Sequence, residues 1–174
     1  VHPTVEGAGI LAKIVYSAIT GDYGGLRLSE IYSDNMVLQC GCLLDIHGVA
    51  DAGEKVTVSI AGQTESAKAG ANGKWAVCLK PLQPGGPHTL TVSTGKRRLH
   101  FENVLVGEVW LCSGQSNMEF MMKEGVDGKV DIPQSGNAGI RLFDMKARWR
   151  TNAVKWDASV LDSLNHLQYY ANTE

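Results

Sequence analysis

The sequence predicts a mixed α and β chain, in which an antiparallel β-sandwich or jelly-roll is flanked by an N-terminal helix and by the first strand, turn and helix of an α/β domain. Three patterns indicate this fold. Apolar residues recur at helical spacing over residues 8–19. Short alternating segments separated by turn residues fill residues 26–103. A nearly unbroken apolar run over residues 104–111 then ends in Ser-Gly-Gln-Ser.

Composition limits the classes of function that the chain can have. Its 174 residues are 44% hydrophobic, as in a globular protein, and the net charge is −2 with a pI near 6.2. This charge argues against a nucleic-acid or polybasic membrane partner. No apolar run approaches the ~20 residues that span a bilayer. The four cysteines lack the spacing of a zinc site, so we predict no metal and expect buried thiols at Cys40, Cys42, Cys78 and Cys112.

The N-terminal residues predict one amphipathic helix. Apolar side chains recur in pairs four residues apart from Ile10 to Ile19, and Gly21 is expected to end the helix. A helix with a single apolar face cannot bury that face alone, so it must pack on something else. His2 stands just before this helix, in the string Val-His-Pro-Thr.

Residues 26–103 predict a series of half-buried antiparallel strands. The predicted strands lie in residues 26–31, 36–38, 43–47, 56–60, 74–79, 90–92 and 98–101. Turn residues separate them at 51–54, 71–74, 84–87 and 94–96. Because Trp75 alternates in phase with Val77 and Leu79, we expect it to face the core and not to form an exposed platform for a sugar.

The run that ends at residues 113–116 is typical of the way a nucleophile is presented. A serine hydroxyl must stand clear of its strand to meet both a base and a substrate, and a sharp turn after a buried strand achieves this. The following backbone N–H groups then point to where an oxyanion would develop. The spacing resembles the elbow of α/β-hydrolases, although Met118 replaces the second glycine of that pattern. From spacing alone, a polar turn after a core strand stays an alternative.

Residues 107–118, Gly-Glu-Val-Trp-Leu-Cys-Ser-Gly-Gln-Ser-Asn-Met, resemble the first block of the sialate O-acetylesterase group within the SGNH (GDSL-like) hydrolases. Residues 33–39, 72–75 and 84–87 resemble the β-domain that precedes the catalytic domain in that group. The resemblance implies a serine carboxylic-ester hydrolase that acts on O-acetylated carbohydrate without a metal or organic cofactor. It makes Ser116 the nucleophile and one backbone oxyanion donor. It also implies a secreted or periplasmic protein, or a lysosomal one in a eukaryote, whose targeting segment is not in this chain.

His2 resembles the last block of the same family, where Asp-x-x-His-Pro supplies the general base and its orienting carboxylate. In the family the histidine block follows the serine block, and here the order is reversed. The resemblance therefore implies a junction: residues 1–21 are the C-terminal helix of an upstream SGNH domain, 26–103 a β-sandwich, and 104–174 the beginning of a second SGNH domain. His2 would then serve the upstream domain, and this chain alone would have little activity.

Two alternatives stay open. In a permuted domain, His2 and Ser116 would share one site. In the second function class, the chain is a non-catalytic β-sandwich module that binds glycan or spaces two hydrolase domains.

After Ser116 the sequence predicts a short helix at 118–123, a loop at 126–137 and a strand at 140–145. The sequence does not indicate the oligomeric state.

Overall fold

The structure is a computed structural model that describes residues 4–29, 31–114, 116–143 and 169–171. The predicted N-terminal helix is present as α1 (Val5–Thr20). Thr4 caps its beginning, because the Thr4 hydroxyl accepts a hydrogen bond from the Gly7 N–H. Gly21 ends it in the left-handed conformation, at φ 72°, which glycine adopts without strain. The apolar face of α1 is exposed: the exposed fraction is 59% for Ile14 and 79% for Ile19.

The chain then forms two β-sheets. The first has three strands in the order β1-β3-β6, and the second has five in the order β2-β8-β7-β4-β5. The strands are β1 (Arg27–Leu28), β2 (Val37–Gln39), β3 (Leu44–Val49), β4 (Lys55–Ile60), β5 (Gln63–Lys68), β6 (Lys74–Leu79), β7 (Gly85–Ser93) and β8 (Arg98–Gly107). The described part of the chain is therefore mixed α and β, as predicted, and most of its elements are strands.

One strand pair departs from the antiparallel prediction. β2 and β8 run parallel, with Val37 opposite Leu105 and Gln39 opposite Gly107. Parallel strands need a long crossover between them, and here β3 to β7 provide it. The other pairs of these two sheets are antiparallel.

A single apolar core joins the two sheets. It contains Ile46 and Leu79 from the three-stranded sheet and Val58 and Leu90 from the five-stranded sheet, each at most 2% exposed. Trp75 is 3% exposed and belongs to the same core, which confirms that it faces inward. Alternation along β4 and β6 therefore predicted the buried face correctly.

The sequence-based prediction missed β5, which pairs with the whole of β4. The two strands are joined by Ala61 and Gly62, both with positive φ, as a tight two-residue hairpin requires. β5 lies at the edge of its sheet and none of its residues is buried. Its sequence therefore lacks the alternation on which the prediction relied.

The apolar run over residues 104–111 is not one buried strand, so that prediction was wrong. Val104 and Val106 lie in the core as part of β8, which ends at Gly107. Beyond it, Trp110 is 82% exposed and Leu111 is 91% exposed, and neither is in a strand. The prediction treated the run as one strand, although Gly107 and Glu108 interrupt it at the point where β8 ends.

The cysteines also differ from the prediction. All four are unpaired; Cys40 is partly buried, whereas Cys42, Cys78 and Cys112 are exposed. Cys78 is exposed because it stands on the outward face of β6, between the inward-facing Val77 and Leu79.

Short elements follow β8. They are α2 (Ser116–Glu119), a 3₁₀ turn (Met122–Glu124), α3 (Gly128–Asp131) and a second 3₁₀ turn (Ile132–Gln134). The predicted helix after Ser116 is thus shorter than expected, and the predicted loop contains α3. β9 (Arg141–Phe143) confirms the strand predicted there and pairs with β10 (Tyr169–Ala171). Among the helices of the described residues, none is long and apolar enough to cross a membrane.

Asp51 fastens the linker after α1 to the two sheets and their shared core, residues 26–107, which are called the β-region below. Its Oδ1 atom accepts hydrogen bonds from the N–H groups of Tyr23 (3.0 Å) and Gly25 (3.1 Å). Its Oδ2 atom lies 3.3 Å from the ammonium of Lys96, which is also 3.6 Å from the Glu54 carboxylate. The backbone donors, Gly25 first, and then Lys96 hold the pKa of Asp51 below its usual value.

We expect Asp51→Asn to destabilise the β-region, and the loss to depend on pH. Because folding lowers the pKa of Asp51, the carboxylate stabilises the fold above its ordinary pKa of 3.8, and this contribution disappears as the pH falls through the lowered folded-state value. Urea unfolding of both proteins at pH 7, 5 and 3 should therefore show a difference that shrinks toward pH 3. A difference that is constant over this range would contradict the assignment.

Candidate functional site

Ser116 is exposed and is the first residue of α2. The Met118 side chain lies close to the backbone of Gly114. A Cβ atom placed on Gly114 would lie 2.6 Å from Met118 Cγ, well inside van der Waals contact. Glycine therefore fits at position 114, where a larger residue would meet the Met118 side chain. Ser116 is exposed to solvent, but the buried strand that was predicted to lead directly into it ends nine residues earlier, at Gly107.

Among the described residues, no histidine is hydrogen-bonded to Ser116. His47 Nδ1 lies 3.3 Å from the Tyr32 hydroxyl, and His100 Nδ1 lies 3.2 Å from the Thr91 hydroxyl. His2 lies outside the described residues, so its role as a base and its distance from Ser116 remain predictions. No group of three or more His, Cys, Asp or Glu in the described ranges is placed to hold a metal ion.

Gln39 anchors the beginning of the segment that carries Ser116. Its Oε1 atom accepts a hydrogen bond from the Val109 N–H at 2.8 Å, and its Nε2 atom donates to the Glu108 carboxylate at 3.3 Å. The Cys40 thiol also donates to Glu108, at 3.4 Å. Burial, and then the bond to Glu108, raises the pKa of Cys40, which keeps the thiol protonated as a donor.

Arg141 anchors the end of the same segment, which is defined here as residues 108–141 and is called the serine segment. Its guanidinium donates to the carbonyl of Asn35 (3.0 Å), to the carbonyl of Asn103, and to the Asn103 side-chain oxygen (2.9 Å). Asn35 precedes β2 and Asn103 is in β8. Both ends of the serine segment are therefore bound to residues in or next to the adjacent strands β2 and β8: Gln39 at its beginning, and Asn35 and Asn103 at its end.

Sequence reasoning did not find these anchors. Gln39 falls within a string that resembled the family, but the groups that it binds are 69 and 70 positions away in the sequence. A signal did exist, because Gln39 ends a strand that pairs in parallel with β8, and so it must lie beside the point where β8 ends.

We expect Gln39→Leu to loosen the beginning of the serine segment, because leucine keeps the size of the side chain but cannot bind Val109 or Glu108. Digestion with a glutamate-specific protease should then cleave after Glu108 faster than in the unmodified protein. The matched control is Gln63→Leu, which removes a similar bridge, from Gln63 to the backbone of Lys80. Equal cleavage at Glu108 in the two variants would contradict the anchoring role.

The chain has curated relatives among the sialate O-acetylesterases. The rat protein (Rattus norvegicus) is 35% identical over 152 residues, which cover 79% of this chain and 28% of the relative. The mouse protein (Mus musculus) is 36% identical with the same coverage. The human protein (Homo sapiens) is 36% identical over 109 residues, which cover 55% of this chain and 20% of the relative. No protein-family model matches the chain.

A solved structure agrees with these relatives. The crystal structure of a carbohydrate acetylesterase from Xanthomonas citri matches with a TM-score of 0.72 at 30% sequence identity. The match covers 84% of this chain and 32% of that one. The chain thus spans less than a third of the length of the relatives that it matches. Over most of its own length, the chain is a homologue of the sialate O-acetylesterases.

Proposed function

We propose that this chain is part of a carbohydrate O-acetylesterase in which Ser116 is the nucleophile. The observation that carries the proposal is the exposure of Ser116 at the first residue of α2, two residues after Gly114, which has no room for a side chain beside Met118. Homology to sialate O-acetylesterases and to a carbohydrate acetylesterase supports an acetylated carbohydrate as the substrate class. The secreted, periplasmic or lysosomal location that the resemblance implies stays a prediction.

The chemistry follows from a serine that is activated by an imidazole. Ser116 Oγ forms a bond to the acetyl carbonyl carbon while a histidine takes its proton. The bond to the sugar oxygen then breaks, and the histidine returns the proton to that oxygen. The Ser116 N–H is one donor to the oxyanion. Water next releases acetate from the acyl-enzyme and restores the free serine. In this proposal the histidine comes from outside the described residues.

The serine segment supports the view that the catalytic unit is incomplete in this chain. Many of its apolar side chains are exposed, although a soluble protein rarely leaves a large contiguous apolar surface open. The exposed ones are Val109, Trp110, Leu111, Met118, Phe120, Met121, Met122, Val126, Val130, Ile132 and Ile140. We propose that the two sheets form a β-sandwich and that the serine segment begins an SGNH hydrolase domain whose remainder covers these side chains.

The exposed apolar face of α1 supports the same organisation at the other end. We propose that α1 is the C-terminal helix of an upstream SGNH domain and that His2 is the base of that domain. The permuted arrangement, with His2 serving Ser116, is the alternative.

A second candidate function is that of a spacer between two hydrolase domains. The contacts between the β-region and the segments on either side of it favour this function. Asp51 of the β-region binds the linker after α1, and Gln39 of the β-region binds the serine segment. Glycan binding receives less support, because Trp75 is buried in the core.

The nucleophile can be tested in a chimera. The matching part of the Xanthomonas citri acetylesterase is replaced by residues 26–143 of this chain, and hydrolysis of an aryl acetate and of an acetylated sugar is measured. We expect activity that Ser116→Ala lowers at least about 10³-fold, since the nucleophile is lost. The matched control is Ser113→Ala, which removes another exposed serine three residues before Ser116 and should keep activity within a few fold. A folded, active chimera that tolerates Ser116→Ala would contradict the proposal.

The close approach of the Met118 side chain to Gly114 leads to a second prediction. In the chimera, Gly114→Ala should lower kcat, because its new methyl group collides with Met118 and shifts Ser116. Adding Met118→Ala removes the obstructing atom and should restore part of the lost kcat. The double variant tests the contact itself. Additive losses in the double variant would mean that Met118 is not the obstacle.

A further inference from the structure

Arg141 is held by a set of oxygen atoms that the β-region builds. Three acceptors receive its two terminal nitrogens: the carbonyls of Asn35 and Asn103 and the side-chain oxygen of Asn103. All three acceptors are neutral. A guanidinium presents several N–H donors in one rigid plane, so it can satisfy such a set at once, whereas an ammonium is a compact point charge.

Asn35 and Asn103 are held in place by contacts that do not involve Arg141. Asn35 and Asn103 both have left-handed backbones, at φ 67° and 53°, which is uncommon outside glycine and best tolerated by asparagine. The Asn103 side-chain amide donates to the Asn35 side-chain oxygen at 2.7 Å, which ties the two residues together. The backbone of Asn35 is also bonded to β8, since the Asn35 N–H donates to the Glu102 carbonyl at 3.0 Å.

The site closes the serine segment into a loop. Gln39 holds its beginning at Val109, and Arg141 holds its end. Ser116 lies between the two anchors, in a stretch where nearly all side chains are exposed. With so little burial inside the segment, its placement against the β-region depends on its two ends.

We propose that Asn35 and Asn103 form a guanidinium-binding site that docks Arg141, and that Arg141 is thereby a positioning residue for the serine segment. The inference rests on the proposed function only for its catalytic consequence. The docking itself is a property of this chain and is measured without an enzymatic assay.

The test is hydrogen–deuterium exchange on the chain, in two stretches: the hydrogen-bonded Val109 amide and the amides of residues 139–143. We expect Arg141→Ala to speed exchange in both stretches by about tenfold or more, because the segment opens without global unfolding. Amides of β4 and β6 should not change. The matched control is Arg98→Ala, which removes an exposed arginine at the beginning of β8.

Two further measurements test whether the site recognises the planar shape of the guanidinium group or only its positive charge. Millimolar ethylguanidinium should slow exchange in Arg141→Ala again, whereas ethylammonium at the same concentration should not. Arg141→Lys keeps the charge and should exchange nearly as fast as Arg141→Ala. Equal effects of the two cations, or normal exchange in Arg141→Lys, would overturn the guanidinium site.

A variant on the other side of the contact covers the case in which Arg141→Ala fails to fold. Asn103→Gly keeps a residue that accepts positive φ and removes the side-chain oxygen that binds Arg141. It should raise exchange at 139–143 by a smaller factor than Arg141→Ala. Unchanged exchange in a folded Asn103→Gly protein would count against the site. Ser116 could still fail as a nucleophile in the chimera without altering any of these exchange results.

Discussion

The burial of Val104 and Val106 between the two sheets fixes where the polypeptide leaves the β-region. Side chains alternate along a strand, so a shift of one residue in β8 would turn both valines out of the core. The register with β2 is fixed by the same burial, and it sets Gly107 opposite Gln39. Gln39 is thereby placed to bind Val109. The beginning of the serine segment thus depends on the packing of a hydrophobic core that contains none of the chemistry.

The β-region and the serine segment differ in how they are stabilised. The β-region buries side chains from both of its sheets in one core. The serine segment buries little, and polar contacts at Gln39 and Arg141 hold its ends. Hydrogen bonds exchange partners with water and contribute less net free energy than the burial of a core. The β-region should therefore fold first and act as the template on which the serine segment is ordered.

Sequence patterns predicted what depends on local periodicity and missed what depends on distant partners. Alternation identified the inward face of β6, including Trp75, and the Gly-x-Ser spacing singled out Ser116, which is exposed. β5 escaped because an edge strand need not alternate. The contacts of Arg141 escaped because its acceptors are 38 and 106 positions away, and no local pattern marks a backbone carbonyl as a future partner.

The strand topology bears on the two explanations of the reversed motif order. Lys96, in the turn that precedes β8, binds Asp51 beside the linker after α1. The serine segment leaves from the other end of β8, which at about 3.3 Å per residue is roughly 30 Å away. For His2 to serve Ser116 in a permuted domain, the two flanking segments would together have to cover this distance. Separate partners for the two exposed apolar faces need not cover it, and the junction of two hydrolase domains stays our proposal, with the permuted single domain as its alternative.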